Sequence, residues 1–193
     1  SFFTDQKIWP RGLPLNMISG DEDPVAGLIS SGCSVGVWQG LADEDPDVDA
    51  IYRLTDNQPC LFNDREPLVL KRGIISPFNT QNTLFRKELF PLLYLPVTVT
   101  FRFTDILRGL VAQPIMWLYG YELGFVGATV IQKRNPHDYM KDFVSEIPMY
   151  LHGESVPGLV ARSINPHDSV SGNLFRAYEE LARNGIVKSE ELT

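Results

Sequence analysis

The chain has 193 residues, 44% of them hydrophobic and 11% aromatic, which is enough for one domain with a sizeable core. Its formal net charge of −7 speaks against non-specific binding to nucleic acid or to an anionic membrane surface, and no apolar run of about 18 residues is present to span a bilayer. Two cysteines, Cys33 and Cys60, can pair in an oxidising compartment or remain buried thiols, but they cannot make a zinc site by themselves.

The 14 prolines and 15 glycines predict short elements joined by many turns. The opening SFFTDQKIWP carries no signal peptide, and its abrupt start reads as that of a fragment, so an upstream anchor stays open. Trp9-Pro10-Arg11-Gly12-Leu13-Pro14 forbids helix and predicts a rigid extended segment. Asp21 to Pro24 reads as an acidic turn, Val25 to Ser31 as a short strand and Val35 to Leu41 as a buried one. Ala50 to Leu54 is a strand candidate and Asp56 to Pro67 a polar loop. Leu68 to Leu70 and Ile74-Ile75 flank a charged turn and read as a hairpin, and Ser76 to Thr83 is irregular. Leu84 to Leu95 predicts a helix that Pro91 distorts. Gly124 to Gln132 reads as another strand. Two Asn-Pro-His-Asp segments, at 135–138 and 165–168, predict helix starts with Asn as cap and Pro in the first turn. Gly172 to Asn184 is an amphipathic helix on Leu174, Tyr178 and Leu181, stopped by Gly185, and Lys188 to Thr193 reads as a frayed tail.

The stretch Val97 to Ala112 carries the strongest chemical signal. Val97, Val99, Phe101 and Phe103 alternate with polar residues as in a half-buried strand, Thr104 is a candidate helix cap, and Ile106, Leu107, Leu110 and Val111 recur at helical spacing. This predicts a strand running into a helix with Asp105 and Arg108 at the junction, where α/β proteins hold ligands. Asp105 equally suits a plain helix-capping role. Asp43 to Asp49 places five acids in seven residues. It lacks the glycine and distal glutamate of a calcium loop, which favours a solvated acidic turn over a cation site. Gly32-Cys33-Ser34-Val35-Gly36 fits a nucleophile elbow, but strand rather than helix follows it. No phosphate-binding glycine loop is present. Trp9, Trp38, Phe62, Phe78 and Trp117 are candidates for stacking on sugar rings or for packing.

Four blocks resemble the plant STELLO-type glycosyltransferases and their relatives in animals and protists. They are Trp9 to Leu15; Val37 to Asp43 with Asp47 to Leu54; Phe78 to Leu84; and Phe101 to Gln113. More distantly they resemble the UDP-arabinopyranose mutases, or reversibly glycosylated polypeptides. The resemblance covers about residues 8 to 132 and fades over the last sixty. It implies the C-terminal, acceptor-side portion of a GT-A-like α/β fold over residues 1–150, with mixed sheet and flanking helices, and a helical C-terminal extension over 151–193. It also implies a nucleotide-sugar donor, a glycan or protein acceptor, and Mn²⁺ or Mg²⁺ held by a motif in an N-terminal nucleotide-binding half upstream of this chain. A Golgi lumenal location follows from the same resemblance. No metal ligand is assigned within this chain: the Asp tract at 43–49 matches a later strand of the family, and Val130 to Arg134 lacks the histidine that completes many such metal sites. The resemblance makes Asp105 the catalytic carboxylate, and Arg11, Gly12, Trp38, Gln39, Asn79, Gln81, Asn82 and Arg108 the substrate-binding set, with Arg108 near the leaving phosphates. Arg11 falls near the arginine that is glycosylated in the mutases, and here it is expected to pair with a phosphate. Two alternatives remain: a catalytically degenerate module acting as a binding or scaffold partner, and a mutase-like enzyme acting on a UDP-sugar.

Overall fold

The computed structural model describes residues 2–18 and 32–193. The turn expected at Asp21 to Pro24 and the strand expected at Val25 to Ser31 lie outside the described residues. In chain order the elements are β1 (Val35–Glu44), α1 (Ala50–Thr55), β2 (Leu68–Val69), β3 (Thr83–Phe85), a 3-10 helix at Lys87–Leu93, α2 (Phe101–Leu118), β4 (Glu122–Gln132), α3 (Tyr139–His152), α4 (Val156–Ser163) and α5 (Val170–Arg183). A mixed four-stranded sheet has the order β2-β4-β1-β3, with β1 parallel to β4 and the two outer pairings antiparallel. The fold is therefore mixed α/β with flanking helices, as expected. No helix among the described residues is long and apolar enough to cross a membrane.

Helix α2 is the central element. Phe103, Ile106, Leu107, Leu110, Val111 and Ile115 are fully or almost fully buried, and their spacing makes one continuous helical stripe. This stripe shares a single core with Val37 of β1, Leu89 and Leu92 of the 3-10 helix, Val156 and Val160 of α4, and Ala177 and Leu181 of α5. Residues beyond 150 thus contribute to the same core as the sheet. Two close approaches tighten the packing. A side chain at Gly109 would meet the Phe78 carbonyl oxygen at 2.7 Å, and one at Gly124 would meet the Trp38 ring at 2.4 Å.

Several expectations are corrected. Val97 to Phe103 is not a strand. The Val97 and Thr98 amides, which a strand would offer to a neighbour, instead donate to Glu191 at 2.9 Å each. Phe103 belongs to α2, whose N-cap is Thr100 rather than Thr104. Ala50 to Leu54 is helical because Asp49 accepts from the Tyr52 amide at 2.8 Å and caps a short helix. Leu68-Val69 pairs with β4 and not with Ile74-Ile75, although Ile74 N–H does close a turn onto Lys71. The helix expected over Leu84 to Leu95 shrinks to the 3-10 segment around Pro91, and Leu84 pairs in β3. Helices do follow both Asn-Pro-His-Asp segments, but Asp138 and Ser169 cap them. Cys33 is exposed, Cys60 is buried, and both are free thiols.

The expected frayed tail is a latch. Ser189–Leu192 forms a 3-10 turn, and the buried Glu191 carboxylate accepts from the Tyr94 hydroxyl, the Val97 and Thr98 amides and the Thr98 hydroxyl. Burial alone would raise its pKa, but these donors more than offset that and hold it below the usual range. Burial first, and then the same contact, push the Tyr94 phenol up to about 12. A depressed carboxylate contributes stability that is complete above its unfolded pKa and is lost as pH falls through the folded one. Glu191→Gln should therefore lower the melting temperature by roughly 4–10 °C at neutral pH, with the difference from wild type shrinking under acid. Calorimetry across pH measures this, and a variant within about 1 °C of wild type at pH 7 would show that the latch contributes little.

Candidate active site

Four segments meet around one guanidinium. The Trp9-Pro10-Arg11-Gly12 strap is fixed at Trp9, whose indole N–H donates to Asp49 at 2.8 Å, and at the Arg11 amide, which donates to the Asp47 carbonyl at 3.2 Å. Gly12 has φ +92°, and a side chain there would meet Ile106 of α2 at 2.6 Å, so this turn is reserved for glycine. The strap delivers the Arg11 side chain between the acidic loop and α2. Its Nε donates to Asp47 at 3.0 Å, its Nη2 to Asp47 at 2.7 Å and to both Asp105 oxygens at 3.0 and 3.1 Å, and its Nη1 to the Arg102 carbonyl. All three nitrogens are engaged and the residue is 5% exposed, so Arg11 offers no free nitrogen to a sugar or a phosphate.

The electrostatics follow from this sharing. Burial would lower the Arg11 pKa, but Asp47 and Asp105 together outweigh it and raise the value above that of a free guanidinium. Burial would raise Asp47, yet Arg11 first, then Arg102 and Arg134, hold it below the usual carboxylate range. Behind this pair lies a second. Arg102 bonds the fully buried Glu146 at 2.6 and 2.9 Å, and Glu146 also accepts from the Ala50 amide at 2.7 Å. Burial pushes the Glu146 carboxyl up in spite of these donors. Two further acids of the tract are also partnered: Asp43 accepts from the Phe62 amide and Asp45 from Arg53. The solvated acidic turn expected from the sequence is largely paired, because Arg11, Arg53 and Arg102 neutralise Asp45 and Asp47.

Asp105 sits in the second turn of α2, not at a strand-to-helix junction. Besides Arg11 it accepts from the Thr80 amide at 3.2 Å and hydroxyl at 3.4 Å, and its side chain is 17% exposed. It faces a polar cleft of about 260 Å³ lined by Arg11, Asp45, Asp47, Asn79, Gln81, Asp105, Gln132, Arg134, Asn135 and His137. An apolar cavity of about 220 Å³, walled in part by Phe3, Trp9, Leu70 and Phe125, shares Arg11, Asp47, Asn79 and Gln81 with it.

The loop from Ser76 to Asn82 is pinned to α2 by two residues. Gln113 bonds both the Ser76 amide and carbonyl, and Arg108 donates to the Asn79 carbonyl at 2.9 Å while stacking on Phe78 and Phe85. Arg108 is buried and does not line the cleft. Asn79 and Gln81 do line it: the Asn79 amide donates to Asp47, and that of Gln81 to Gln132. Gln39 lies one layer behind, accepting from the Asn79 amide and donating to the Gln81 carbonyl. Asn82, with φ +49°, bonds Leu41 and Thr129 away from the cleft. Trp38 lies across Gly124 on the sheet and also stays outside.

Sequence reasoning missed Gln132, Arg134 and His137 as cleft residues. His137 pairs with Asp142 at 3.0 Å, and its place as third residue of Asn-Pro-His-Asp after a strand end was its only signal. The carboxylates do not fit a divalent cation, since Asp45, Asp47 and Asp105 each already hold an arginine. Among the described residues no three metal-ligating side chains converge.

Comparison with known proteins bears on this arrangement. Residues 102–190 match the family model described as STELLO glycosyltransferases. The chain is 30% identical over 172 residues, 86% of its length, to "Probable glycosyltransferase STELLO2" of Arabidopsis thaliana, and 32% identical over 124 residues, 61% of its length, to "Probable glycosyltransferase STELLO1" of the same plant. This similarity supports the STELLO glycosyltransferase family. The chain spans about a fifth of the length of these STELLO relatives, 22% and 16% respectively. The STELLO match runs from Arg102 to Glu190 and so includes Asp105, the cleft residues Gln132 to His137 and all but the end of the last sixty residues, where resemblance read from the sequence fades.

Arg11→Lys tests the architecture. Lysine keeps the charge but presents one donor centre in place of a fork, so one of the two carboxylates is left unpaired. The expected cost is about 3 kcal/mol or more, read as a lower urea midpoint with unchanged slope; a midpoint equal to wild type would remove Arg11 from its central role.

Proposed function

We propose that this domain takes part in transferring a sugar from a nucleotide-sugar donor to a hydroxyl acceptor, with Asp105 as the carboxylate that receives the acceptor proton. The reading rests on one observation, the placement of Asp105 on the wall of a polar cleft inside the segment that matches the family. In this reaction the acceptor oxygen attacks the anomeric carbon, the bond from that carbon to the donor phosphate oxygen breaks, and the hydroxyl proton passes to Asp105. Arg11 and the Thr80 amide and hydroxyl fix the carboxylate at four donor contacts, so it is oriented before substrate arrives. Asn79, Gln81 and Gln132 supply amide groups along the same wall for sugar hydroxyls. Arg108 acts from behind by holding the Asn79 carbonyl and thus positions the loop. Mn²⁺ or Mg²⁺, the nucleotide-binding half and a Golgi lumenal setting belong to this reading as properties of the whole protein. Among the described residues the carboxylates form no site for the ion, and no step is routed through it.

A second reading is favoured by one feature. Both Asp105 oxygens are occupied by protein donors, which also suits a module that binds a glycan and does no chemistry. Asp105→Asn separates the two. The amide can keep a bond to Thr80, and Arg11 keeps Asp47, so the melting temperature should fall by no more than about 4 °C. Transfer by the complete protein, assayed across a panel of UDP-sugars with Mn²⁺, should fall at least roughly 100-fold. Transfer that survives the substitution overturns the catalytic role, while saturable sugar binding with no turnover in wild type establishes the binding module.

A further inference from the structure

Helix α3 has two apolar faces. The inner one carries the buried Met149, beside Glu146. The outer one carries Met140, Val144, Ile147 and Leu151, which are 58%, 62%, 39% and 72% exposed. Spacings of four, three and four residues align them in one narrow stripe along three turns, the pattern of a helix that packs against another helix rather than of a solvated face. The first turn of α2 extends the surface. Thr100 donates to the Ser145 carbonyl at 2.6 Å and the Arg102 amide to the Ser145 hydroxyl at 3.3 Å, which holds Phe101, 89% exposed, against the middle of α3.

We propose that this face is the docking surface for a second copy of the chain, with the two α3 helices antiparallel across a two-fold axis between Ser145 and Glu146. A two-fold interface needs a surface that complements itself, and this stripe does when reversed: Met140 meets the partner's Leu151, and Val144 meets the partner's Ile147. Charge permits the approach. Both acids of α3 are engaged on its inner side, Glu146 with Arg102 at 2.6 Å and Asp142 with His137 at 3.0 Å, so two chains of net charge −7 meet over an uncharged seam. Covering the four stripe residues with Phe101 removes on the order of 600 Å² from each copy, so two copies together bury about 1,200 Å², the lower end of specific stable interfaces. The seam shares no residue with the polar cleft, so the inference stands apart from the sugar-transfer reading.

Light scattering on the full chain at about 50 μM should give twice the 21.8 kDa monomer mass. Val144→Glu should give the monomer with an unchanged far-ultraviolet circular dichroism spectrum, because that side chain is exposed in the single chain, whereas Leu84→Glu at the far sheet edge should leave the dimer intact. The geometry is read separately in a Cys33→Ser background. Met140→Cys with Leu151→Cys should oxidise to a covalent dimer, and Met140→Cys alone should not, since the two copies of residue 140 lie at opposite ends of the seam. A monomeric wild type at that concentration, a dimer indifferent to Val144→Glu, or cross-linking through Met140→Cys alone overturns the proposal.

Discussion

One guanidinium, that of Arg11, joins three parts of this molecule that are otherwise far apart in sequence. It bonds the acidic loop at Asp47, the side of α2 at Asp105 and the α2 backbone at Arg102. Burying a charge is costly unless it is fully paired, and here all three guanidinium nitrogens donate to protein acceptors. Asp47, bonded through both Nε and Nη2, is its principal counter-ion, and Asp105 shares the outer nitrogen. The strap conformation, the glycine at position 12 and the orientation of Asp105 are all consequences of bringing that fork to this point.

The helices and central strands were legible because burial imposes a period. The run Ile106, Leu107, Leu110, Val111 and the apolar run at Val35 to Leu41 became α2 and β1, and Gly185 with φ +70° ends α5 as its position suggests. Local pattern failed where a distant side chain supplied what a neighbour usually does. Val97 to Thr100 reads as a strand by alternation, yet Glu191, some ninety residues later, takes its amides. Asp43 to Asp49 reads as solvated because Arg11 and Arg102, which neutralise Asp47 in the fold, lie far from it in sequence. Ala50 to Leu54 has the composition of a strand, and the Asp49 cap decided for helix.

The candidate site was legible in part for the same reason. Asp105, Arg11, Asn79 and Gln81 do come together at one cleft. The expected cationic role of Arg108 is taken up instead by packing between Phe78 and Phe85. Arg134 and His137 reach the cleft through the end of β4, a placement that depends on the parallel register of β4 with β1 and that no spacing rule encodes.

The dependence on Arg11 can be observed directly in the side-chain nitrogen spectrum of the labelled protein. A buried guanidinium gripped by two carboxylates and a carbonyl should show a slowly exchanging Nε–H with hindered rotation at neutral pH, and Asp47→Asn should release it. A rapidly exchanging, freely rotating Arg11 signal in the wild-type protein would contradict the account.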